Sequence, residues 1–176
     1  MFTRIAINYL RQWAEKEERK PLVLRGARQV GKTTLVDLFA KDFEYYIYIN
    51  LEEKENANLF ANYSSFEDLL SGIFFKANVR QDNKRTLIFI DEIQNSPKTI
   101  ALLRYFYEQR PDLYVIAAGS LLENLVDVKV SFPVGRVQYM ALRPCSFREF
   151  LGAIDKANLL EILSQKAEYT VAFHDQ

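Results

Sequence analysis

Residues 26–34 read Gly-Ala-Arg-Gln-Val-Gly-Lys-Thr-Thr and match the phosphate-binding pattern G-x-x-x-x-G-K-[ST] at every required position. The two glycines lack a Cβ, so the backbone can turn tightly and point consecutive N–H groups at phosphate oxygens. The pattern assigns the Lys32 ammonium to the β and γ phosphates and the Thr33 hydroxyl to Mg²⁺. The expected phosphate-binding residues are Gly26, Ala27, Arg28, Gln29, Val30, Gly31, Lys32, Thr33 and Thr34.

The segments on either side of this loop favour the same interpretation over an ordinary glycine turn. The apolar residues 21–24 predict a short buried strand, and residues 33–41 predict a helix. A loop between a strand and a helix is the context that this pattern requires. The start of the helix would add unpaired N–H groups and the positive end of its dipole, which both attract an anion.

Two acids follow a second apolar run about 60 residues further on. Residues 86–90 read Thr-Leu-Ile-Phe-Ile and predict a buried strand, after which come Asp91 and Glu92. Asp91 would hold Mg²⁺ through a water, opposite Thr33. Glu92 would orient or deprotonate an attacking water, since a general base must lie within hydrogen-bond reach of it. The alternative is a pair of solvated acids at a strand end.

Strand and helix patterns alternate along the chain, which predicts an α/β fold with a mainly parallel sheet. Further strands are predicted at 42–50, 113–118 and 137–142, and helices at 4–16, 52–62, 65–77, 98–109, 121–126, 146–151 and 155–168. Ser146, followed by Glu149, predicts a capped helix start. Ligands of such sheets bind at the carboxyl ends of the strands, where Gly26, Asp91 and Ser120 are expected to meet.

Composition limits the classes of protein that fit. With 176 residues the chain suits one domain, and its 23 basic and 23 acidic residues cancel. A nucleic-acid partner is therefore possible but not supported by the net charge. A single cysteine, Cys145, fits a reducing compartment, and the sequence has neither a signal peptide nor an apolar run long enough for a membrane span. We expect a cytoplasmic protein.

Several motifs together resemble one family. They are the loop Gly-Ala-Arg-Gln-Val-Gly-Lys-Thr-Thr-Leu, then Leu-Ile-Phe-Ile-Asp-Glu-Ile-Gln, Ala-Ala-Gly-Ser, Gly135-Arg136, and residues 143–150, Arg-Pro-Cys-Ser-Phe-Arg-Glu-Phe. The chain is similar to the bacterial and archaeal AAA-type P-loop ATPases in which one ATPase domain precedes a C-terminal domain of poorly defined, nuclease-like role. The resemblance implies a three-layer α/β/α sandwich with the five strands in the order 5-1-4-3-2.

The resemblance also implies roles for individual residues. Lys32 and Thr33 correspond to the Walker A motif and Asp91 and Glu92 to the Walker B motif, with ATP and Mg²⁺ as ligands. Ser120 corresponds to a polar sensor of the γ-phosphate, although a Gly-Ser pair also makes an ordinary helix cap.

Two arginines have less definite roles. Arg136 corresponds to an arginine that supplies charge to the transition state, in its own site or in that of a neighbouring copy after self-association; a plain surface arginine is the alternative. Arg28 lies inside the loop, where it would hold phosphate or face solvent.

The resemblance divides the chain into an ATPase domain at 1–152 and a helical extension at 153–176, expected to begin a second domain. The chain would then be a fragment of a longer protein, the alternative being a naturally short one. Cys145 is expected to be a small buried hydrophobe, and the pair Phe74-Phe75 is expected to lie in the core.

Three functions remain open at this point. The first is a Mg-dependent ATPase whose cycle drives a C-terminal domain or protein partner. The second is a nucleotide-dependent switch that hydrolyses ATP slowly. The third is a small-molecule kinase, which the sequence favours least because no arginine-rich lid is recognisable.

Overall fold

The structure, a computed structural model, describes residues 4–120, 133–156, 158, 159 and 162. Five strands form one parallel sheet in the order β2-β3-β4-β1-β5, which confirms the predicted order read from the other edge. The strands are β1 (Leu22–Arg25), β2 (Tyr45–Asn50), β3 (Thr86–Asp91), β4 (Tyr114–Gly119) and β5 (Gln138–Ala141).

Helices cover both faces of this sheet, as the α/β interpretation predicts. They are α1 (Ala6–Ala14), α2 (Lys32–Phe39), α3 (Lys54–Ala61), α4 (Phe66–Lys76), α5 (Pro97–Gln109) and α6 (Phe147–Ala153). Helices α1 and α2 pack on one face, and α3, α4 and α5 pack on the other. All six residues of β3 are buried because both faces of the strand are covered, which explains the uninterrupted apolar run at residues 87–90.

Two helix starts carry side-chain caps, and the one at Ser146 confirms the cap predicted from the sequence. The Ser65 hydroxyl accepts a hydrogen bond from the Asp68 N–H at 3.1 Å, at the start of α4. At the start of α6, Ser146 and Glu149 form a complete capping box. Both helices are therefore fixed locally by short-range sequence signals.

One expectation about burial holds only in part, since Phe74 is in the core but Phe75 is not, and another is wrong. Phe75 is 89% exposed because the buried positions of α4 recur three or four residues apart, and Phe75 lies one position beyond this stripe. Cys145 is exposed because it lies in the loop between β5 and α6.

Strand β2 begins three residues later than predicted, since a 3₁₀ turn at Ala40–Asp42 first extends α2.

Part of the predicted organisation lies outside the described residues. This applies to the helix predicted at 121–126 and to most of the extension predicted at 153–176. The domain boundary therefore stays a prediction. Among the described helices, none has the length and apolar character needed to cross a membrane.

Candidate functional site

The predicted phosphate loop leaves the end of β1 and runs directly into α2 at Lys32. Gln29 and Gly31 both have left-handed backbones, with φ of 65° and 90°. Alternation of this kind turns successive N–H groups towards one point and forms an anion-binding concavity. The first turn of α2 adds N–H groups that have no partner within the helix. The loop therefore has the shape and polarity of a phosphate site.

Gly26 has a second structural role that the sequence pattern does not reveal. A Cβ at this position would overlap the carbonyl oxygen of Leu142, which follows β5. That segment is held against β1 by a hydrogen bond of 2.7 Å from the Leu142 N–H to the Arg25 carbonyl. Gly26 is needed for this close approach as well as for the turn of the loop.

The Lys32 side chain lies inside the loop rather than in solvent. Its Nζ donates to the carbonyls of Gly26 and Ala27 at 2.9 and 3.0 Å, and the residue is only 7% exposed. The ammonium group is thus already located at the concavity formed by the loop. A cation in this position complements phosphate charge.

Asp91, at the end of β3, meets the start of α2. Its Oδ2 accepts a hydrogen bond from the Thr33 hydroxyl at 2.8 Å and a longer one of 3.4 Å from the Tyr48 hydroxyl. Burial raises the pKa of Asp91 above its ordinary value, while the hydrogen bonds from Thr33 and from the Glu92 N–H oppose this change. Burial and the nearby Asp91 carboxylate raise the pKa of Tyr48 to about 12, so its hydroxyl stays a donor.

Thr33 and Asp91 together fit a magnesium ion. Both present oxygen atoms, which are the ligands that Mg²⁺ prefers, and the ion usually keeps several waters and takes few protein ligands. A pair of donors next to a phosphate loop is therefore sufficient.

Glu92 begins a tight turn that directs its side chain into the same region. Its backbone is left-handed, with φ of 55°, which is uncommon for a residue other than glycine and is typical of functional sites. The next three residues, Ile93–Asn95, form a 3₁₀ turn. Within this turn Gln94 Nε2 donates a hydrogen bond to Glu92 Oε2.

Two cavities flank the loop. One, of about 550 Å³, has a mainly apolar wall that includes Val30, Leu35, Leu38 and Pro144. The other, of about 390 Å³, is lined by Ala27, Arg28, Glu52, Glu92, Gln94 and Ser120. Ala27 and Arg28 line both cavities. The two cavities would leave room on either side of the loop for the parts of a nucleotide that flank its phosphates.

Arg4 links the loop to α6. Its Nε forms an ion pair with Glu149 Oε1 at 2.9 Å, and its Nη1 donates to the Val30 carbonyl at 3.2 Å. The third nitrogen, Nη2, donates to the Arg143 carbonyl at 2.8 Å. One guanidinium thus connects the phosphate loop, the segment after β5 and the first turn of α6.

The structure brings most of the predicted site residues together. The whole loop, Asp91, Glu92 and Ser120 lie at the carboxyl edge of the sheet, as expected from the parallel topology. Arg136 does not join them. It precedes β5 and lies at the amino edge, where Gln138 N donates to Pro21 O at 2.9 Å, and its Nε pairs with Glu108 at 2.8 Å. The length of β5, roughly 13 Å at 3.3 Å per residue, separates Arg136 from the loop.

Three residues of this region were missed by sequence reasoning. Glu52 could have been found, because it follows the end of β2 just as Asp91 and Glu92 mark the end of β3. Gln94 could have been suspected as the next polar side chain after the two acids. Arg4 gave no signal, since its partner Glu149 lies 145 residues away in the sequence.

Comparison with known proteins agrees with this architecture. A family model described as "AAA domain" matches residues 18–151. Over 90 residues the chain is 31% identical to the replication factor C large subunit of Methanococcus maripaludis, a match that covers 49% of this chain and 16% of that protein.

Two solved structures share the fold. A Walker-type ATPase of Pyrococcus abyssi superposes with a TM-score of 0.57 at 20% identity, over 90% of this chain and 59% of that one. A chain of Drosophila ORC bound to DNA gives a TM-score of 0.57 at 16% identity, over 93% of this chain and 48% of that one. The chain spans less than two thirds of the length of each of these relatives.

Proposed function

This chain belongs to the AAA domain family, and on that premise we propose that it binds ATP with Mg²⁺ and hydrolyses it to ADP and phosphate. The observation that carries the proposal is the hydrogen bond of 2.8 Å between Thr33 and Asp91, beside the phosphate loop. This hydrogen bond brings the phosphate loop and the acids after β3 together at one point, and ATP hydrolysis needs both. The carboxylate of Glu92, in the adjoining cavity, supports water as the acceptor.

Each residue has a distinct part in this proposal. The loop N–H groups and Lys32 bind the β and γ phosphates, and Thr33 and Asp91 hold the metal. When bound, Mg²⁺ would neutralise the charge that develops on the phosphates. Glu92 orients the attacking water and accepts its proton.

Phosphate release from ATP tests these roles. We expect Lys32→Ala to lose both ATP binding and turnover, and Glu92→Gln to keep ATP binding while its kcat falls by roughly two orders of magnitude or more. Asp112→Asn, which changes an acid before β4 at the opposite edge of the sheet, is the matched control and should retain the wild-type kcat. Unchanged turnover in Glu92→Gln would show that Glu92 is not the base.

The position of Arg136 gives some support to the alternative of a slow nucleotide-dependent switch. Within one copy, this arginine is too far from the loop to stabilise the transition state. We propose that it acts in the site of a neighbouring copy, so that an isolated chain hydrolyses ATP slowly. Mixing Arg136→Ala with Lys32→Ala tests this, because the first keeps an intact loop and the second keeps the arginine. The proposal would be contradicted if the mixture still showed no turnover and if wild-type turnover per chain did not depend on concentration.

We further propose that the cycle is coupled to a C-terminal domain or protein partner through α6. Phe147 and Phe150 on this helix stack on each other and are 63% and 50% exposed. The same helix is connected to the loop through Glu149 and Arg4. Hydrogen exchange of the α6 amides should therefore slow on addition of ATP and Mg²⁺ in the wild type but not in Arg4→Ala; equal exchange with and without nucleotide would contradict the coupling.

A further inference from the structure

Gln94 lies where it can control the carboxylate of Glu92. The left-handed Glu92 starts the turn, and the Asn95 N–H closes it with a hydrogen bond of 3.0 Å to the Glu92 carbonyl. Ile93, fully buried, anchors the turn in the core between the sheet and helices α3, α4 and α5. This conformation returns the Gln94 amide to the Glu92 side chain, where Nε2 donates to Oε2.

The orientation of the Gln94 amide follows from its partner. The Glu92 carboxylate only accepts hydrogen bonds when ionised, so the amide must present its nitrogen. Its oxygen, Oε1, is then buried and has no hydrogen-bond partner within the part of the chain that the structure describes. Buried acceptors without a partner are rare in native proteins and disfavour the folded state.

The unpaired oxygen of Gln94 disfavours the folded state, whereas its nitrogen contacts Glu92 in the site. A side chain selected for packing alone would be apolar here, since it would leave no acceptor unsatisfied. The hydrogen bond to Glu92 is the one polar contact that the side chain makes among the described residues. Both residues line the cavity of about 390 Å³ that is also lined by Ser120 and the loop residues Ala27 and Arg28.

We propose that Gln94 is a positioning residue, which holds the Glu92 carboxylate in the orientation that water activation needs. The inference rests on the proposed ATPase function. Its amide nitrogen restrains one carboxylate oxygen and leaves the other to accept the proton of the water. Without this restraint the Glu92 side chain samples several rotamers, and the correctly aligned fraction falls.

Gln94→Met tests the proposal because it keeps the length of the side chain and removes both polar groups. We expect kcat to fall by roughly 10- to 30-fold, while KM and the Kd for ATP stay within about twofold. The melting temperature should be unchanged or higher, since the buried acceptor is gone. Gln94→Glu keeps the shape and should lose the same activity, because it replaces the donor by a second carboxylate. Asn95→Ala, in the same turn, is the matched control and should retain the wild-type kcat.

A double-mutant cycle with Glu92→Gln distinguishes positioning from a general structural role. If Gln94 acts through Glu92, adding Gln94→Met to Glu92→Gln should cause no further loss of kcat. Three results would each overturn the inference. They are a full additional loss of kcat in the double variant, a kcat of Gln94→Met within twofold of wild type, and a melting temperature that falls in parallel with the lost activity. A wild type without turnover would overturn the proposed function and this inference with it, whereas an active wild type with an unaffected Gln94→Met overturns only the inference.

Discussion

Replacing Glu149 by Gln tests whether its ion pair with Arg4 holds the phosphate loop and α6 together. The carboxylate receives hydrogen bonds from Arg4 Nε at 2.9 Å, from the Ile5 N–H at 3.0 Å and from the Ser146 N–H at 2.8 Å. Burial by itself raises the pKa of this carboxyl, but the hydrogen bonds together outweigh it and lower the pKa of Glu149 to about 2, against an ordinary value of 4.5.

The magnitude follows from this difference. A carboxyl with a lower pKa in the folded state stabilises the fold above the unfolded-state value, and the stabilisation is lost as the pH falls towards the folded-state value. The interval from about 2 to 4.5 corresponds to about 3 kcal/mol, of which we expect about 2 kcal/mol after solvent screening. Glu149→Gln should therefore lower the free energy of unfolding by about 2 kcal/mol at pH 7. At about pH 3.5 the same substitution should lower it by only about 1 kcal/mol.

Urea unfolding of both proteins at several pH values measures this difference. Asp42→Asn is the control, because the Arg11–Asp42 pair also joins two segments that are distant in the sequence, but its side chains are 52% and 35% exposed. It should lower the free energy of unfolding by less than about 0.5 kcal/mol. Because Arg4 also donates to the Val30 carbonyl, Glu149→Gln should weaken ATP binding several-fold. A loss equal to that of the control, or one independent of pH, would refute the reasoning.

Two further predictions concern the loop. Gly26→Ala should lower the free energy of unfolding by about 1–3 kcal/mol, because its Cβ would overlap the Leu142 carbonyl; thermal melting without nucleotide checks this, and an unchanged melting temperature would contradict it. Thr33→Val keeps the shape of the side chain but removes the hydroxyl that donates to Asp91. It should raise the Mg²⁺ concentration needed for half-maximal ATP binding by about tenfold, or 1.4 kcal/mol, while an unaltered magnesium titration would remove Thr33 from the metal site.

The parts of the fold that could be predicted depend on local sequence patterns. The central strands β1, β3 and β4 are mostly apolar because both faces of the sheet are covered there. The loop between β1 and α2 has a sequence pattern that few other structures require. The capping box of Ser146 and Glu149 is likewise a signal of four residues. These features need no knowledge of distant parts of the chain.

The parts that could not be predicted depend on distant contacts. The pairing of Arg4 with Glu149 arises only when two segments 145 residues apart in the sequence meet. The exposure of Cys145 depends on where the loop before α6 runs. The position of Arg136 is different, since parallel topology already implies that a residue before a strand lies at the edge opposite to Asp91. Topology alone thus argues against a role of Arg136 in its own site.

The place of β1 in the sheet has a consequence for the order in which the protein folds during synthesis. Its neighbours are β4 and β5, so Leu22 finds its partners only at Ile116 and Gln138. A ribosome-bound chain that already contains the complete loop sequence therefore lacks the strands that hold β1, and such long-range pairings form slowly. The segment that carries Leu142, which packs against Gly26 of the loop, emerges later still. The proposed binding of ATP would thus be acquired late, once the sheet is complete.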